Sequence, residues 1–139
     1  MPDILKMLVV DDNPNYRDLC ESIGTRIDRN KYELYKAETP EQGLSLLEKY
    51  DPHVVILDIH FDPKNLDDSS GITDFLIPAR EKGYEGAIIC WSNDSGYRWA
   101  ARKNGATDFV NKHEIETYKT NLFTVIDALI PEITTPLLP

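Results

Sequence analysis

The sequence predicts an α/β fold in which five parallel strands alternate with five helices. Two observations carry this prediction. Short, continuous runs of apolar and β-branched residues occupy positions 4–10, 54–59 and 87–91, and such runs are typical of strands buried on both faces. Segments of helical period lie between the strands, and repeated strand–helix units restrict the chain to a parallel sheet with right-handed crossovers and helices on both faces.

The five predicted strands differ in polarity, and this difference indicates their places in the sheet. The runs at 4–10, 54–59 and 87–91 are apolar enough for central strands. Residues 32–37 and 107–110 are more polar, as expected for strands at the edges of a sheet. We therefore expect a polar strand on each side of three buried ones.

Helical periodicity predicts amphipathic helices between and after the strands. Their apolar stripes are Tyr16, Leu19, Cys20, Ile23 and Ile27, then Ile72, Phe75, Leu76 and Ala79, and finally Ile115, Tyr118, Leu122, Val125, Ile126 and Leu129. Pro78 falls inside the second stripe. Because proline has no amide hydrogen and its ring meets the carbonyl of the preceding turn, we expect it to kink or break that helix.

Two helix starts directly follow predicted strands. Asn13 stands before Pro14, and proline is common at the first position of a helix. Thr39 stands before Pro40 and can cap the next helix, while Gln42 is placed to complete a capping box. Both signals support the strand–helix alternation.

Length and composition limit the classes of function. A chain of 139 residues with 41% hydrophobic and 28% charged residues fits one domain, expected over residues 1–130, followed by a short tail at 131–139. The formal net charge of -9 opposes contact with nucleic acid phosphates and with anionic membrane surfaces. We therefore expect protein partners, with no direct nucleic acid or membrane binding.

Location and redox state can also be predicted. No apolar run approaches the roughly 20 residues of a membrane-spanning helix, and the first apolar stretch is too short for a signal peptide. Cys20 and Cys90 lie in apolar stretches without metal-binding spacing. We expect two buried thiols in a cytoplasmic protein.

Polar side chains stand where the predicted strands end, which is where ligands bind in an open parallel sheet. Asp11 and Asp12 follow the first strand, and Asp58 follows the third. Ser92 follows the fourth apolar run, and Lys112 follows the fifth strand. Taken singly, each has an ordinary explanation as a loop residue, a helix cap or a solvated lysine.

Taken together, these side chains predict phosphoryl-transfer chemistry. Three carboxylates that converge from two neighbouring strands are electrostatically untenable without a cation. Mg²⁺ suits such a site because it takes oxygen ligands and keeps several waters, which leaves room for a phosphoryl oxygen. A lysine and a hydroxyl at the same rim supply donors to that phosphoryl group.

The order and spacing of these segments resemble the receiver domains of bacterial response regulators, over nearly the whole chain. The segments that carry the resemblance are LVVDDN at 8–13, VILD at 55–58, WSN at 91–93, NGATDF at 104–109 and Lys112. The resemblance implies a flavodoxin-like, chemotaxis-type receiver fold with strand order 2-1-3-4-5. It also implies a two-component phosphorelay signalling domain that is not a conventional enzyme but supports magnesium-dependent self-phosphorylation and autodephosphorylation.

The resemblance implies roles for the acidic residues. Asp58 would accept a phosphoryl group from a sensor histidine kinase or a histidine phosphotransfer protein. Asp12 would bind magnesium directly and Asp11 largely through water. Asp58 and the backbone carbonyl of His60 would complete the protein ligands.

The resemblance also implies a switch. Lys112 would pair with one phosphoryl oxygen, and Ser92 would donate a hydrogen bond to another. Phe109 would swing inward when Ser92 moves, which would alter the face built by the fourth helix, fifth strand and fifth helix. That face would meet an unidentified downstream protein, or a second copy of the chain in a homodimer.

The chain departs from the family pattern in two places. The loop at 61–70, between Asp58 and the matching Gly71, is longer than usual. We expect it to be a solvent-exposed segment that modulates partner access. His113 follows Lys112 where the family usually has proline. These departures leave an alternative open, in which the chain is a pseudo-receiver that acts as a constitutive protein-interaction module.

Several residues allow two interpretations. His60 and Asp94 either flank the phosphoryl group and tune its hydrolysis or are solvated loop side chains. Trp91 and Trp99 either form a partner surface or pack within the fold. A phosphatase of the dehalogenase-like kind would need a second aspartate where His60 stands, which argues against that class.

Overall fold

Strands and helices alternate along the chain in the computed structural model, which describes residues 4–27, 32–62, 68–112, 122, 124–126 and 128. The elements are β1 (Leu5–Val10), α1 (Pro14–Ile27), β2 (Tyr32–Ala37), α2 (Pro40–Tyr50), β3 (Val54–Leu57), a π-helical turn (Ile72–Leu76) that leads into α3 (Ile77–Glu81), β4 (Ala87–Ser92), a 3₁₀ turn (Ser95–Tyr97) that leads into α4 (Arg98–Lys103), and β5 (Asp108–Asn111). Across the described residues, no helix has the length and apolar character needed to span a membrane.

The strands form one parallel sheet in the order β2-β1-β3-β4-β5. This flavodoxin-like order was predicted and is confirmed. Val10 pairs with Leu57, Leu57 with Cys90, and Cys90 with Phe109, so the carboxyl ends of the four strands lie side by side. The predicted edge strands are also confirmed, because β2 and β5 each pair on one side only.

Two hydrophobic cores lie on opposite faces of the sheet because successive strand residues point in opposite directions. Leu8 and Val10 of β1 face the core that is covered by α2 to α4, whereas Met7 and Val9 face the core that is covered by α1. Leu122 and Ile126 are fully buried in the second core, and their backbone is helical. These two residues fit the predicted fifth helix. Outside the described residues lie three other residues of its expected stripe, Ile115, Tyr118 and Leu129. His113 and the predicted tail at 131–139 also lie outside them.

The helix-start prediction at Thr39 is confirmed with one difference. The Thr39 hydroxyl accepts a hydrogen bond from the Gln42 amide at 3.1 Å. The Gln42 side-chain oxygen accepts from the amide of Glu38 at 2.8 Å, one residue before the cap. The reciprocal bonds of a capping box are therefore present, and Gln42 reaches one residue further back than in the usual arrangement.

Pro78 distorts its helix, as predicted, but does not break it. The chain is helical from Ile72 to Glu81, with a π-helical first turn in which the amide of Ile77 donates to the carbonyl of Ile72. A π turn spaces the backbone more widely than an α turn, and this relieves the contact between a proline ring and the preceding carbonyl.

Candidate functional site

The predicted site residues stand at the carboxyl edge of the sheet. Asp11 and Asp12 directly follow β1, Asp58 follows β3, Ser92 ends β4, and Lys112 follows β5. The ladder of backbone hydrogen bonds continues just beyond the strands. The Asp58 amide donates to Val10 at 2.9 Å, and the Lys112 amide donates to Ser92 at 2.8 Å. Asp58 and Lys112 are thus fixed by the sheet itself.

Three carboxylates meet at this edge. Asp11, Asp12 and Asp58 each offer an oxygen that lies within 4.8 Å of the other two. Asp11 and Asp58 are buried, at 1% and 8% exposure, whereas Asp12 is exposed. The predicted convergence of these residues is therefore present in the fold.

Lys112 provides the positive charge of the cluster. Its Nζ lies 2.5 Å from Asp11 Oδ2 and 3.6 Å from Asp58 Oδ2, and the residue is only 3% exposed. Asp11 is further occupied by the amide of Asn13, which donates to its other oxygen at 2.9 Å. Asp12 consequently has the more accessible carboxylate for a metal ion.

The pKa values of two of these carboxyl groups are raised, chiefly by burial. Burial raises the pKa of Asp58 to about 6, opposed by Lys112 and reinforced by Asp11. Partial burial and the nearby Asp11 also raise the pKa of Asp12. A further positive charge at this place would favour the ionised forms of both residues.

Two aromatic rings surround Lys112, and the sequence interpretation did not assign them this role. Lys112 Nζ lies 3.9 Å from the ring centre of Tyr16 and 5.2 Å from that of Trp91. The two rings pack edge to face, with centres 5.1 Å apart. Trp91 is fully buried, which settles its packing role, whereas Trp99 is 71% exposed. The sequence signal for Tyr16 was its place in the first turn of α1, shortly after the acidic pair.

Gly71 packs directly against the backbone of the predicted phosphoacceptor. A Cβ atom at this position would lie 2.1 Å from the carbonyl oxygen of Asp58 and 2.7 Å from Cα of Ile59. Backbone atoms cannot yield by such distances, so a larger residue would displace the Asp58 segment. This close approach gives a physical reason for glycine at the position that matches the family pattern.

The loop at 61–70 is more ordered at its described ends than expected. The Asp68 carboxylate accepts hydrogen bonds from the amides of Phe61 at 2.6 Å, Asp62 at 2.7 Å and Ser70 at 3.0 Å. It also accepts from the Ser70 hydroxyl at 3.1 Å. Partial burial opposes ionisation, but these bonds prevail and lower the pKa of Asp68. Positions 63–67, including Asp67, lie outside the described residues.

His60 connects this loop to the site. Its Nδ1 lies 2.5 Å from the carbonyl oxygen of Asp68, and because a carbonyl only accepts, Nδ1 carries a proton. Its Nε2 lies 3.9 Å from Asp94 Oδ2, and its ring packs edge to face on Tyr97. His60 and Asp94 thus approach each other where the loops after β3 and β4 meet. The proposed use of the His60 carbonyl as a metal ligand stays a prediction.

Ser92 and Phe109, the predicted switch residues, are both buried, at 0% and 3% exposure. The Ser92 hydroxyl accepts a hydrogen bond from the Asp94 amide at 3.1 Å. The guanidinium of Arg98 lies 4.9 Å from the centre of the Phe109 ring. We expected Phe109 to begin from a solvent-exposed rotamer, and the structure differs because the ring already lies inward, beneath Arg98.

Solved structures of receiver domains share this fold. The receiver domain of NtrX from Brucella abortus is 23% identical, with a TM-score of 0.72 over 91% of this chain and 98% of that chain. A DNA-binding response regulator of the LuxR family from Staphylococcus aureus is 22% identical, with a TM-score of 0.73 over 91% and 98%. The chemotaxis protein CheY4 from Vibrio cholerae is 17% identical, with a TM-score of 0.71 over 90% and 98%. At these identities the likeness concerns the fold.

The sequence itself is informative about the family. Comparison with curated proteins finds no match. The family model of the response regulator receiver domain, however, matches residues 7–122, which include every predicted site residue from Asp11 to Lys112. The chain therefore belongs to the response regulator receiver domain family, whose members are signalling domains of two-component systems.

Proposed function

We propose that this chain is an active receiver, which accepts a phosphoryl group on Asp58 from the phosphohistidine of a sensor kinase or phosphotransfer protein. One observation carries the proposal. The Asp58 carboxylate lies at the carboxyl end of a central strand, in one cluster with Asp11 and Asp12 and 3.6 Å from the ammonium of Lys112. A nucleophile, a cation-binding pair and an electrophilic lysine are the groups that phosphoryl transfer by positioning requires.

The cluster fits a magnesium ion. The three carboxylates outnumber the cations beside them, Lys112 and Arg17, and burial together with Asp11 raises the pKa of Asp12 and of Asp58. Asp11, Asp12 and Asp58 would hold the ion, with the His60 carbonyl as a further ligand. When bound, Mg²⁺ neutralises charge on the oxygens of the phosphoryl group.

The transfer step uses groups of this chain. A carboxylate oxygen of Asp58 attacks phosphorus and forms a P–O bond, while the P–N bond of the donor breaks. The leaving imidazole nitrogen keeps the electron pair and takes a proton from solvent. Lys112 turns from the carboxylates to a phosphoryl oxygen, and the Ser92 hydroxyl donates to another. In the separate hydrolysis step, a water oxygen attacks phosphorus and releases a proton to solvent, the P–O bond to Asp58 breaks, Asp58 regains its carboxylate, and inorganic phosphate leaves.

The geometry favours an active receiver over a pseudo-receiver. A spoiled pocket would have lost the lysine or separated the carboxylates. This chain has the longer loop and His113, yet Lys112 is buried and its Nζ lies 2.5 Å from Asp11 Oδ2. We propose that phosphorylation changes the face around α4 and β5, where Trp99 is 71% exposed and its ring lies 4.7 Å from Lys103 Nζ. The occupant of that face is a downstream protein or a second copy of the chain.

Mass spectrometry after incubation with acetyl phosphate and Mg²⁺ tests the proposal. We expect the wild type to gain one acid-stable, base-labile phosphoryl group and Asp58→Asn to gain none. Asp74→Asn, which changes an exposed aspartate in the π-helical turn, should label like the wild type. Labelling of Asp58→Asn at the wild-type rate would refute the site. A wild type that gains no phosphate would instead favour the pseudo-receiver.

A further inference from the structure

The ammonium of Lys112 contacts both carboxylates and aromatic rings. Tyr16 and Trp91, which we call the aromatic seat, approach Lys112 Nζ to 3.9 Å and 5.2 Å from their ring centres. The carboxylates of Asp11 and Asp58 lie at 2.5 Å and 3.6 Å from the same nitrogen. A cation over an aromatic face is attracted by the ring, most strongly where water is excluded, and Lys112 is only 3% exposed.

The aromatic seat explains how the ammonium of Lys112 is kept in one place. Lysine carries its ammonium on a flexible four-carbon side chain. The sheet fixes the backbone of Lys112, but this does not determine where the ammonium lies. The sequence also lacks the proline that usually follows this lysine in similar domains and has His113 there. Contacts to two rings restrict the ammonium to the space beside Asp11 and Asp58. They therefore aim Lys112 from outside its own strand.

Tyr16 is the member of the seat best suited to a positioning role. Trp91 is fully buried and belongs to the core between the sheet and α1. Tyr16 is only partly buried, yet its ring is the closer of the two to Lys112. Its amide donates to the carbonyl of Asn13 at 3.1 Å, which fixes the backbone of Tyr16 in the first turn of α1, shortly after the acidic pair.

We infer that Tyr16 is a positioning residue that aims Lys112 at the phosphoryl group transferred to Asp58. The inference rests on the proposed function, since it assigns Tyr16 a part in that same site. Tyr16 contacts the ammonium of Lys112, at 3.9 Å from its ring centre. It acts through the lysine, by holding the ammonium in a water-poor place from which a small movement reaches a phosphoryl oxygen.

Rates of phosphorylation by acetyl phosphate at saturating Mg²⁺ test this inference. Tyr16→Leu should slow the reaction about tenfold, the range expected for loss of a desolvated cation–π contact. Tyr16→Phe keeps the ring and should retain most of the rate. Tyr50→Leu is a matched control, because Tyr50 also lies beneath a lysine, Lys49 at 5.1 Å, and stacks on another ring at 4.0 Å, far from Asp58. Tyr50→Leu should leave the rate unchanged.

A double-mutant cycle separates positioning from general damage to the fold. In a Lys112→Ala background, Tyr16→Leu should have no further effect, because the residue through which Tyr16 acts is gone. Equal losses with and without Lys112 would overturn the inference, as would a wild-type rate for Tyr16→Leu. If Tyr16→Leu does not fold, Tyr16→Met replaces it with a flexible chain of similar reach, and the same outcomes apply.

Amine acylation followed by mass spectrometry gives a readout that is independent of phosphorylation. Lys112 is buried beneath the seat, so it should resist acylation in the wild type, in Tyr16→Phe and in Tyr50→Leu. It should become reactive in Tyr16→Leu. Unchanged protection in that variant would overturn the inference. If the wild type accepts no phosphate but its Lys112 is unmasked by Tyr16→Leu, the proposed function fails while the seat stands.

Discussion

Burial of the Asp58 carboxylate determines much of the electrostatics at the residue scale. The side chain is 8% exposed and shares its surroundings with Asp11 and Asp12, while Lys112 lies closer to Asp11 than to Asp58. Burial therefore raises the pKa of Asp58 to about 6, despite the opposing effect of the nearby lysine. A metal ion or a phosphoryl group with its metal changes this balance, which makes the residue responsive to both.

Replacement of Asp58 by asparagine should stabilise the metal-free protein at neutral pH. Between the ordinary pKa of 3.8 and the folded value of about 6, the folded state binds more protons than the unfolded state. The free energy of unfolding therefore falls as pH rises through this window. Asp58→Asn removes that fall and should gain about 1 to 3 kcal/mol at pH 7.5, with little change at pH 4.

Urea denaturation without Mg²⁺ at both pH values measures this effect. Asp74→Asn, at an exposed position, serves as the control and should follow the wild type. A pH-independent difference between Asp58→Asn and the wild type would contradict the electrostatic explanation.

Asp12 should contribute most to the affinity for magnesium. Its carboxylate is exposed, whereas Asp11 is engaged by Lys112 and by the Asn13 amide. Asp12→Ala should therefore abolish a saturable response to Mg²⁺. In a Trp99→Phe background, Trp91 is the one remaining tryptophan, and its ring centre lies 5.2 Å from Lys112 Nζ. Its fluorescence should therefore report Mg²⁺ binding at the site.

A matched substitution checks that the loss is local to the site. Asp18→Ala removes another exposed aspartate, one that pairs with Lys36 at 3.8 Å. It should titrate like the parent protein. An unchanged titration curve for Asp12→Ala would show that the ion binds elsewhere.

At the scale of elements, the described ends of the loop after β3 share one acidic residue, Asp68. The Asp68 carboxylate joins both described ends of the loop through four hydrogen bonds, and its carbonyl holds the ring of His60. The loop was expected to be a solvent-exposed segment that modulates partner access. The observed bonds add a connection from the loop to His60, whose Nε2 lies 3.9 Å from Asp94 Oδ2.

Asp68→Ala should shorten the lifetime of the phosphoryl group on Asp58. Without the carboxylate, the described ends of the loop lose the hydrogen bonds that join them, and His60 loses a fixed position near Asp94. Water therefore gains access to phosphorus. We expect hydrolysis several-fold faster, together with a stability loss of about 1 to 3 kcal/mol from the lost charged hydrogen bonds. The chain should still accept phosphate.

Decay of the phosphorylated protein, followed by mass spectrometry, measures this lifetime. Asp74→Ala provides a control in the adjacent helical turn and should decay like the wild type. A variant with a normal lifetime but lower stability would show that Asp68 is structural alone.

At the scale of the whole molecule, Ser92 lies between the carboxylate cluster and the edge strand β5. It ends β4, and its neighbour in β5 is Asn111, two residues after Phe109. Its hydroxyl accepts from the Asp94 amide and is fully buried. A dianion on Asp58 offers stronger acceptor oxygens, so movement of Ser92 towards them would open space beside β5.

Amide chemical shifts with beryllofluoride should therefore change beyond the site. In the wild type we expect shifts from the loops around Asp58 to Phe109 and the residues of α4, where Arg98 covers the ring. Ser92→Ala should confine the shifts to the loops. If Ser92→Ala transmits the change to Phe109 as the wild type does, the switch through Ser92 is wrong. If Phe109 and α4 never shift, Phe109 is permanent core.

The sequence by itself determined the sheet and the meeting of the charged groups. Apolar runs give buried parallel strands, and parallel strands bring their carboxyl ends to one edge, so Asp11, Asp12, Asp58 and Lys112 had to converge. The helix start at Thr39 was equally local, since a cap involves residues within one turn. These features depend on periodicity and on neighbours along the chain.

Only the tertiary structure decided how the site is held. Tyr16 lies far along the chain from Lys112, and nothing in either local pattern specifies that one ring faces one ammonium. Periodicity also does not predict that Phe109 lies inward. Nor does it predict that the Asp68 carboxylate accepts hydrogen bonds from the amides of Phe61 and Asp62. Side-chain direction across separate elements depends on packing of the whole fold, because each rotamer is chosen by the space its neighbours leave.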